Sequence, residues 1–153
     1  MATVDINYLA VLVSGIVSMI IGFLWYGPIF GKSWMKLSGM DQKKINEAKK
    51  SGKVGKSYFI TFIGTLVMAY VLSHFIDYAG ATSISKGMQA GFWAWLGFVA
   101  TTTLSSVIWA GKAVKLYLLD NGHYLVNLLV MGASRPTFKS SPLRVPGLNP
   151  PAL

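Results

Sequence analysis

The sequence predicts an all-α membrane protein, four transmembrane helices in a bundle with a basic cytoplasmic loop between the first two, and three observations carry that reading. Of 153 residues, 53% are hydrophobic and only 12% charged, whereas soluble domains carry about a quarter charged residues. The mean hydropathy is +0.50. Four apolar runs, each of roughly 18 residues or more with few charges, punctuate the chain, and that is the length a helix needs to cross bilayer hydrocarbon.

The first run, Ile6 to Tyr26 (INYLAVLVSGIVSMIIGFLWY), has no charged residue, and at ~1.5 Å per residue it reaches across the ~30 Å hydrocarbon core. Its flank MATVD has no Lys or Arg and no A-x-A-like site follows, so a retained span is expected rather than a cleaved signal sequence. Gly27-Pro28 should break this helix as it leaves the membrane. The second run extends from about Ser57 to Tyr78, the third from about Gly87 to Ala110 and the fourth from Leu116 to Ala133. Residues 1–133 thus form one transmembrane domain. Residues 134–153 hold five of the six prolines and no helical periodicity, the composition of an extended, disordered or non-native tail.

Charge sets the expected orientation. The connection Gly27 to Lys56 contains eight lysines, Lys32, Lys36, Lys43, Lys44, Lys49, Lys50, Lys53 and Lys56, while Ala79 to Lys86 contains one. Lys and Arg accumulate in cytoplasmic loops, so the first loop is expected inside the inner membrane and both termini outside. Arg135, Lys139 and Arg144 would then lie outside, leaving ten cationic residues inside against four. The six lysines from Lys43 to Lys56 suit anionic lipid headgroups, at about 1 kcal/mol each near such a surface. The formal charge of +9 collects beside apolar runs, which argues for a membrane partner and against nucleic acid.

Small and polar residues at helical spacing mark the faces expected to meet other helices: Ser14, Ser18 and Gly22 in the first span, Thr61, Thr65, Ala69, Ser73 and Asp77 in the second, Gly87 and Gly91 with Thr101 and Ser105 in the third. Lipid tails are as apolar as leucine, so membrane helices associate through close packing and interhelical hydrogen bonds. Such stripes can also form contacts between subunits, and a homo-oligomer is expected because four helices scarcely enclose a pore.

Ionisable groups inside the spans are expensive, and each histidine has an acid three residues away: His74 with Asp77, and Asp120 with His123. That separation places each pair on one helix face. Asp77 should sit at the interface as an anchor, whereas Asp120 lies five residues beyond Lys115 and should turn towards the bundle with a partner or be protonated. Tyr117, Asp120, His123, Tyr124 and Asn127 share a face and form a polar ladder. An imidazole titrates near neutral pH, so this ladder can carry a proton or bind a small polar ligand; the competing role is a structural lock against Thr101, Thr102, Thr103 and Ser105. Aromatic residues at the span ends, Trp25, Tyr26, Phe30 and Trp34, then Phe92, Trp93 and Trp95, read as interfacial belts.

With these segments in view, FLWYGPIFGKSWM (Phe23 to Met35), GKSYFITFIGTLVMAYVLS (Gly55 to Ser73), GFWAWLGFVATTTL (Gly91 to Leu104) and KLYLLDNGHYLVNLLVMGA (Lys115 to Ala133) together resemble the bacterial domain-of-unknown-function family numbered 1761. The resemblance spans nearly all of Asn7 to Ala133. It implies a small four-helix integral membrane protein and no activity. In the family's pattern the fourth helix continues as an apolar segment after Met131-Gly132-Ala133, where this chain turns to SRPTFKSS.

Two functions follow as expectations: solute or ion permeation, proton-coupled through Asp120 and His123, by a homo-oligomer; or a non-catalytic scaffold or accessory subunit binding partner helices. Neither a phosphate loop, a nucleophile elbow nor an H-E-x-x-H motif occurs, so no enzyme activity is expected. No cofactor is expected. Cysteine is absent, and the topology holds His74 and His123 towards opposite sides, so no metal site is expected either.

Overall fold

Asn7 starts the first helix by accepting the Ala10 N–H on its side chain at 3.1 Å, which satisfies one of the orphan donors of a helix N-terminus. In the computed structural model, which describes residues 6–137, the helix then runs as α1, Tyr8–Ile29. Its last turn, Trp25–Ile29, widens into a π-helical turn around Pro28. Proline has no N–H to donate, and the Phe30 N–H reaches five residues back to the Trp25 carbonyl at 2.9 Å instead. The chain folds back at once into α2, Gly31–Ser38. Only glycine fits at that corner: a Cβ on residue 31 would lie 2.7 Å from the Tyr26 carbonyl oxygen.

The basic connection is helical rather than a loop. Gly39 closes α2 at a positive φ of 69°, the conformation glycine tolerates best, and the Asp41 side chain caps α3, Gln42–Lys50, by accepting the Lys44 N–H at 2.8 Å. Gly52 leads into α4, Lys53–Tyr78, four residues earlier than the apolar pattern suggests. Lys43, Lys44, Lys49, Lys50, Lys53 and Lys56 are all exposed.

Ser83 caps α5 through the Lys86 N–H; this helix extends over Ile84–Ile108. It too widens into a π-helical stretch at Trp95–Ala100. The next three residues are threonines, whose hydroxyls donate back to the carbonyls of Gly97, Phe98 and Val99, a back-bonding that loosens the ladder and bends helices. The final helix, α6, Val114–Thr137, has 24 residues and continues past the expected end at Ala133. Residues 138–153, most of the expected tail, lie outside the described residues.

Among the described residues the structure is all-helical, and three helices, α1, α4 and α5, are long and apolar enough to cross a membrane. α6 is as long but more polar. It lies against α1, α4 and α5, most closely against α5, where glycines remove the side chains that would separate the backbones. A Cβ on Gly132 would collide with the Gly87 carbonyl, and one on Gly91 with the Leu128 carbonyl. Ala69, Leu72 and Ile76 of α4 complete the core with Leu128 and Met131 of α6. The opposite faces carry exposed Ile16, Ile20, Phe23, Phe59, Ile63 and Val67, an apolar exterior that suits lipid.

Candidate functional site

The polar residues of α6 divide between two neighbours. Towards α5, the Tyr117 hydroxyl donates to the Ala100 carbonyl at 2.8 Å. One turn later Asn121, only 4% exposed, donates through Nδ2 to Thr103 Oγ1 at 3.1 Å and to the Tyr117 carbonyl at 3.0 Å. Asn121 stands beside Asp120 in the middle of an apolar run, and its spacing of four from Tyr117 was the signal that could have singled it out. Thr101 and Thr102 are exposed and satisfied by their own helix.

Towards α1, Asp120 accepts a hydrogen bond from the Tyr26 hydroxyl at 3.0 Å. His123 does not bond to Asp120: its Nε2 lies 3.0 Å from Asn127 Nδ2, and its ring meets Tyr26 edge-on at 4.9 Å. A Cβ on Gly22 would come within 3.4 Å of the same Nε2, so the missing side chain of α1 makes room for the imidazole. Further along, Ser14 and Ser134 hydroxyls are 2.6 Å apart. Ser18, between Ser14 and Gly22 on the same face of α1, is buried.

The aromatic residues read from sequence as interfacial belts separate into two groups. Phe92 and Trp93 are exposed. Trp25, Tyr26 and Trp95 instead turn inward. Each of the two π-helical stretches begins with a tryptophan whose indole N–H reaches α6, Trp25 to the Leu119 carbonyl at 3.2 Å and Trp95 to the Asn121 carbonyl at 2.9 Å. These two carbonyls bracket Asp120 in the chain. Widened helical turns recur at functional sites because they re-aim side chains; here both aim a donor at the turn that bears the carboxylate.

Asp120 also borders a polar recess of about 380 Å³ where α5 turns into α6, lined by Thr102, Thr103, Ser106, Lys112 and Tyr124 among others. The carboxylate therefore faces protein on one side, through Tyr26, and an accessible cavity on the other. Such an arrangement can hold a cation or a protonatable solute at Asp120 while hydroxyl and amide groups orient it.

The second acid–imidazole pair is built differently. His74 Nδ1 faces the Tyr70 carbonyl at 3.0 Å, with its ring against Tyr70 and Tyr78; Asp77 is half-buried one turn on. Thr61 is exposed, and the Thr65 hydroxyl donates to the Thr61 carbonyl of its own helix. Among the described residues no three His, Asp or Glu side chains gather in a metal-holding group.

The family described as "Protein of unknown function (DUF1761)" matches residues 9–134. No curated protein and no solved structure matches the chain.

Proposed function

The chain belongs to the DUF1761 family, and from that premise we propose that it is a four-span inner-membrane protein in which the Asp120 side of α6 passes or binds a small polar solute or ion. The observation that carries this reading is the position of Asp120, held by Tyr26 on one side and open to a polar recess of about 380 Å³ on the other. An acid at that depth in a membrane helix is retained against a cost of a few kcal/mol on insertion scales. Purely structural anchoring would not require the accessible cavity.

α6 supplies the fourth crossing. At ~1.5 Å per residue its 24 residues reach about 36 Å, enough to span with some tilt. Its polar groups are directed to α1 and α5, as an intramembrane polar helix requires. The lysine-rich α2, α3 and start of α4 lie on the cytoplasmic side, against anionic headgroups, and the recess opens on that side too. Lys112 also lines the recess. Assembly of several copies supplies the enclosure that one thin bundle lacks. The role is non-catalytic.

Reconstitution tests it. Purified protein in phosphatidylethanolamine–phosphatidylglycerol liposomes should admit ions or small polar solutes, read with ion-sensitive dyes and by osmotic swelling, and Asp120→Asn should abolish that entry while leaving assembly intact. A wild-type protein that assembles yet passes nothing would point instead to a scaffold.

A further inference from the structure

α1 and α6 run antiparallel, and their facing polar positions step evenly in opposite directions: Tyr26 with Asp120, Gly22 with His123, Ser14 with Ser134. Ser18, midway between Ser14 and Gly22, falls at the level of the turn that carries Asn127. From Asp120 to Ser134 this seam rises about 21 Å, some two-thirds of the hydrocarbon core.

Inside the seam three buried polar atoms have no partner: Ser18 Oγ, His123 Nδ1 and Asn127 Oδ1. Ser18 is 4% exposed and Asn127 3%. An unsatisfied buried polar group costs about 1–3 kcal/mol, and three in one seam make a cost that bound water would remove. Beyond them a cavity of about 10 Å³ touches Ser14, Ser73 and Ser134 where α1, α4 and α6 meet. That is about the space one water molecule needs, and too little for a larger guest.

We propose that this seam is a water-bridged proton path, entered from the recess at Asp120, relayed by His123 and continued by waters held on Ser18, Asn127, Ser14 and Ser134. The proposal rests on the permeation reading and names its substrate as the proton. A metal cation needs a shell of several oxygen ligands, whereas this seam presents about one hydroxyl or amide per turn and, at its Ser14–Ser134 end, a cavity of single-water size. The relay balances: His123 accepts a proton on one ring nitrogen and releases one from the other, and a return of the tautomer resets it, with one proton entering and one leaving. Asp120 and Tyr124 on α6 and Tyr26 on α1 are the titratable groups facing the imidazole; Trp25 covers its flank.

The test uses full-length protein in phosphatidylethanolamine–phosphatidylglycerol liposomes with an internal pH dye, an imposed proton gradient, and potassium with valinomycin to balance charge. Wild type should collapse the gradient faster than empty vesicles, and Ser18→Val and Asn127→Leu, which line the seam with apolar groups beyond Asp120, should each reduce the flux to that of empty vesicles. Ser18→Ala, the smaller change, should slow it. Unchanged proton flux in folded Ser18→Val and Asn127→Leu would overturn the path. Solute or metal-ion entry in wild type without proton flux would overturn the proton assignment and leave the permeation reading standing; no flux of any kind would remove both. Should the substitutions prevent folding, solid-state NMR of wild type with ¹⁵N-labelled histidine decides: a water contact at His123 Nδ1 is expected, and a dry nitrogen would overturn the proposal.

Discussion

The Tyr26 hydroxyl donates to Asp120 Oδ1 across 3.0 Å, joining the last turn of α1 to the second turn of α6. Hydrogen bonds to charged groups contribute about 1.5–3 kcal/mol. Tyr26→Phe should therefore lower the melting temperature in detergent, and the loss should shrink when Asp120→Asn is already present. Equal losses in the two backgrounds, read as a double-mutant cycle, would mean that the pair is not coupled.

Close approach of α5 and α6 depends on glycine. Gly132→Ala would drive a methyl group into the Gly87 carbonyl, an overpacking that costs about 1–3 kcal/mol. Gly64 of α4 has nothing within 4 Å of the position its Cβ would take, and Gly64→Ala should leave stability unchanged or raise it by up to about 1 kcal/mol. Thermal denaturation of the two variants side by side checks the contrast.

Asn121 and Thr103 bind each other across the α5–α6 contact. Interhelical hydrogen bonds in bilayers average about 0.6 kcal/mol in coupling energy, with a maximum near 1.7. A cycle of Asn121→Ala and Thr103→Val should fall in that range with positive coupling; zero coupling would reduce the pair to a coincidence of packing.

Trp95 bonds the Asn121 carbonyl from the start of the second π-helical stretch. Trp95→Phe removes the donor together with part of the ring that packs on the core, so a loss of more than about 1 kcal/mol is expected. If the indole also positions the Asp120 turn, the variant should show reduced liposome flux at temperatures where it remains folded.

The chain has no cysteine, which makes single-cysteine labelling unambiguous. Lys49→Cys in exposed α3 should react with a membrane-impermeant maleimide only in inside-out vesicles, and Thr82→Cys, between α4 and α5, only in right-side-out ones. The reverse pattern would invert the orientation and place the mouth of the recess outside.

How legible the site was depends on the residue. Asp120, His123 and Asn127 declare themselves, because polar side chains within an apolar run demand partners. Gly87 and Gly91 signal tight packing by their spacing alone. Tyr26 and Trp25 do not: at the end of a span an aromatic residue reads as an interfacial belt, and only the widened turn around Pro28 aims it at α6. α2 and α3 are hard to read because lysine-rich sequence without apolar periodicity looks like a loop; the caps at Gly39 and Asp41 are the local signal that marks them.

Composition and apolar run length by themselves determined an all-helical protein with membrane-length helices, since burying backbone amides in hydrocarbon leaves helices as the way to satisfy them. The partners of each polar group were decided only in three dimensions. Spacing along a helix states which side chains share a face, but it does not state which neighbour that face meets. Crossing geometry, set by Gly22, Gly91 and Gly132, sent Asp120 to Tyr26, Asn121 to Thr103 and the His123 ring against Tyr26.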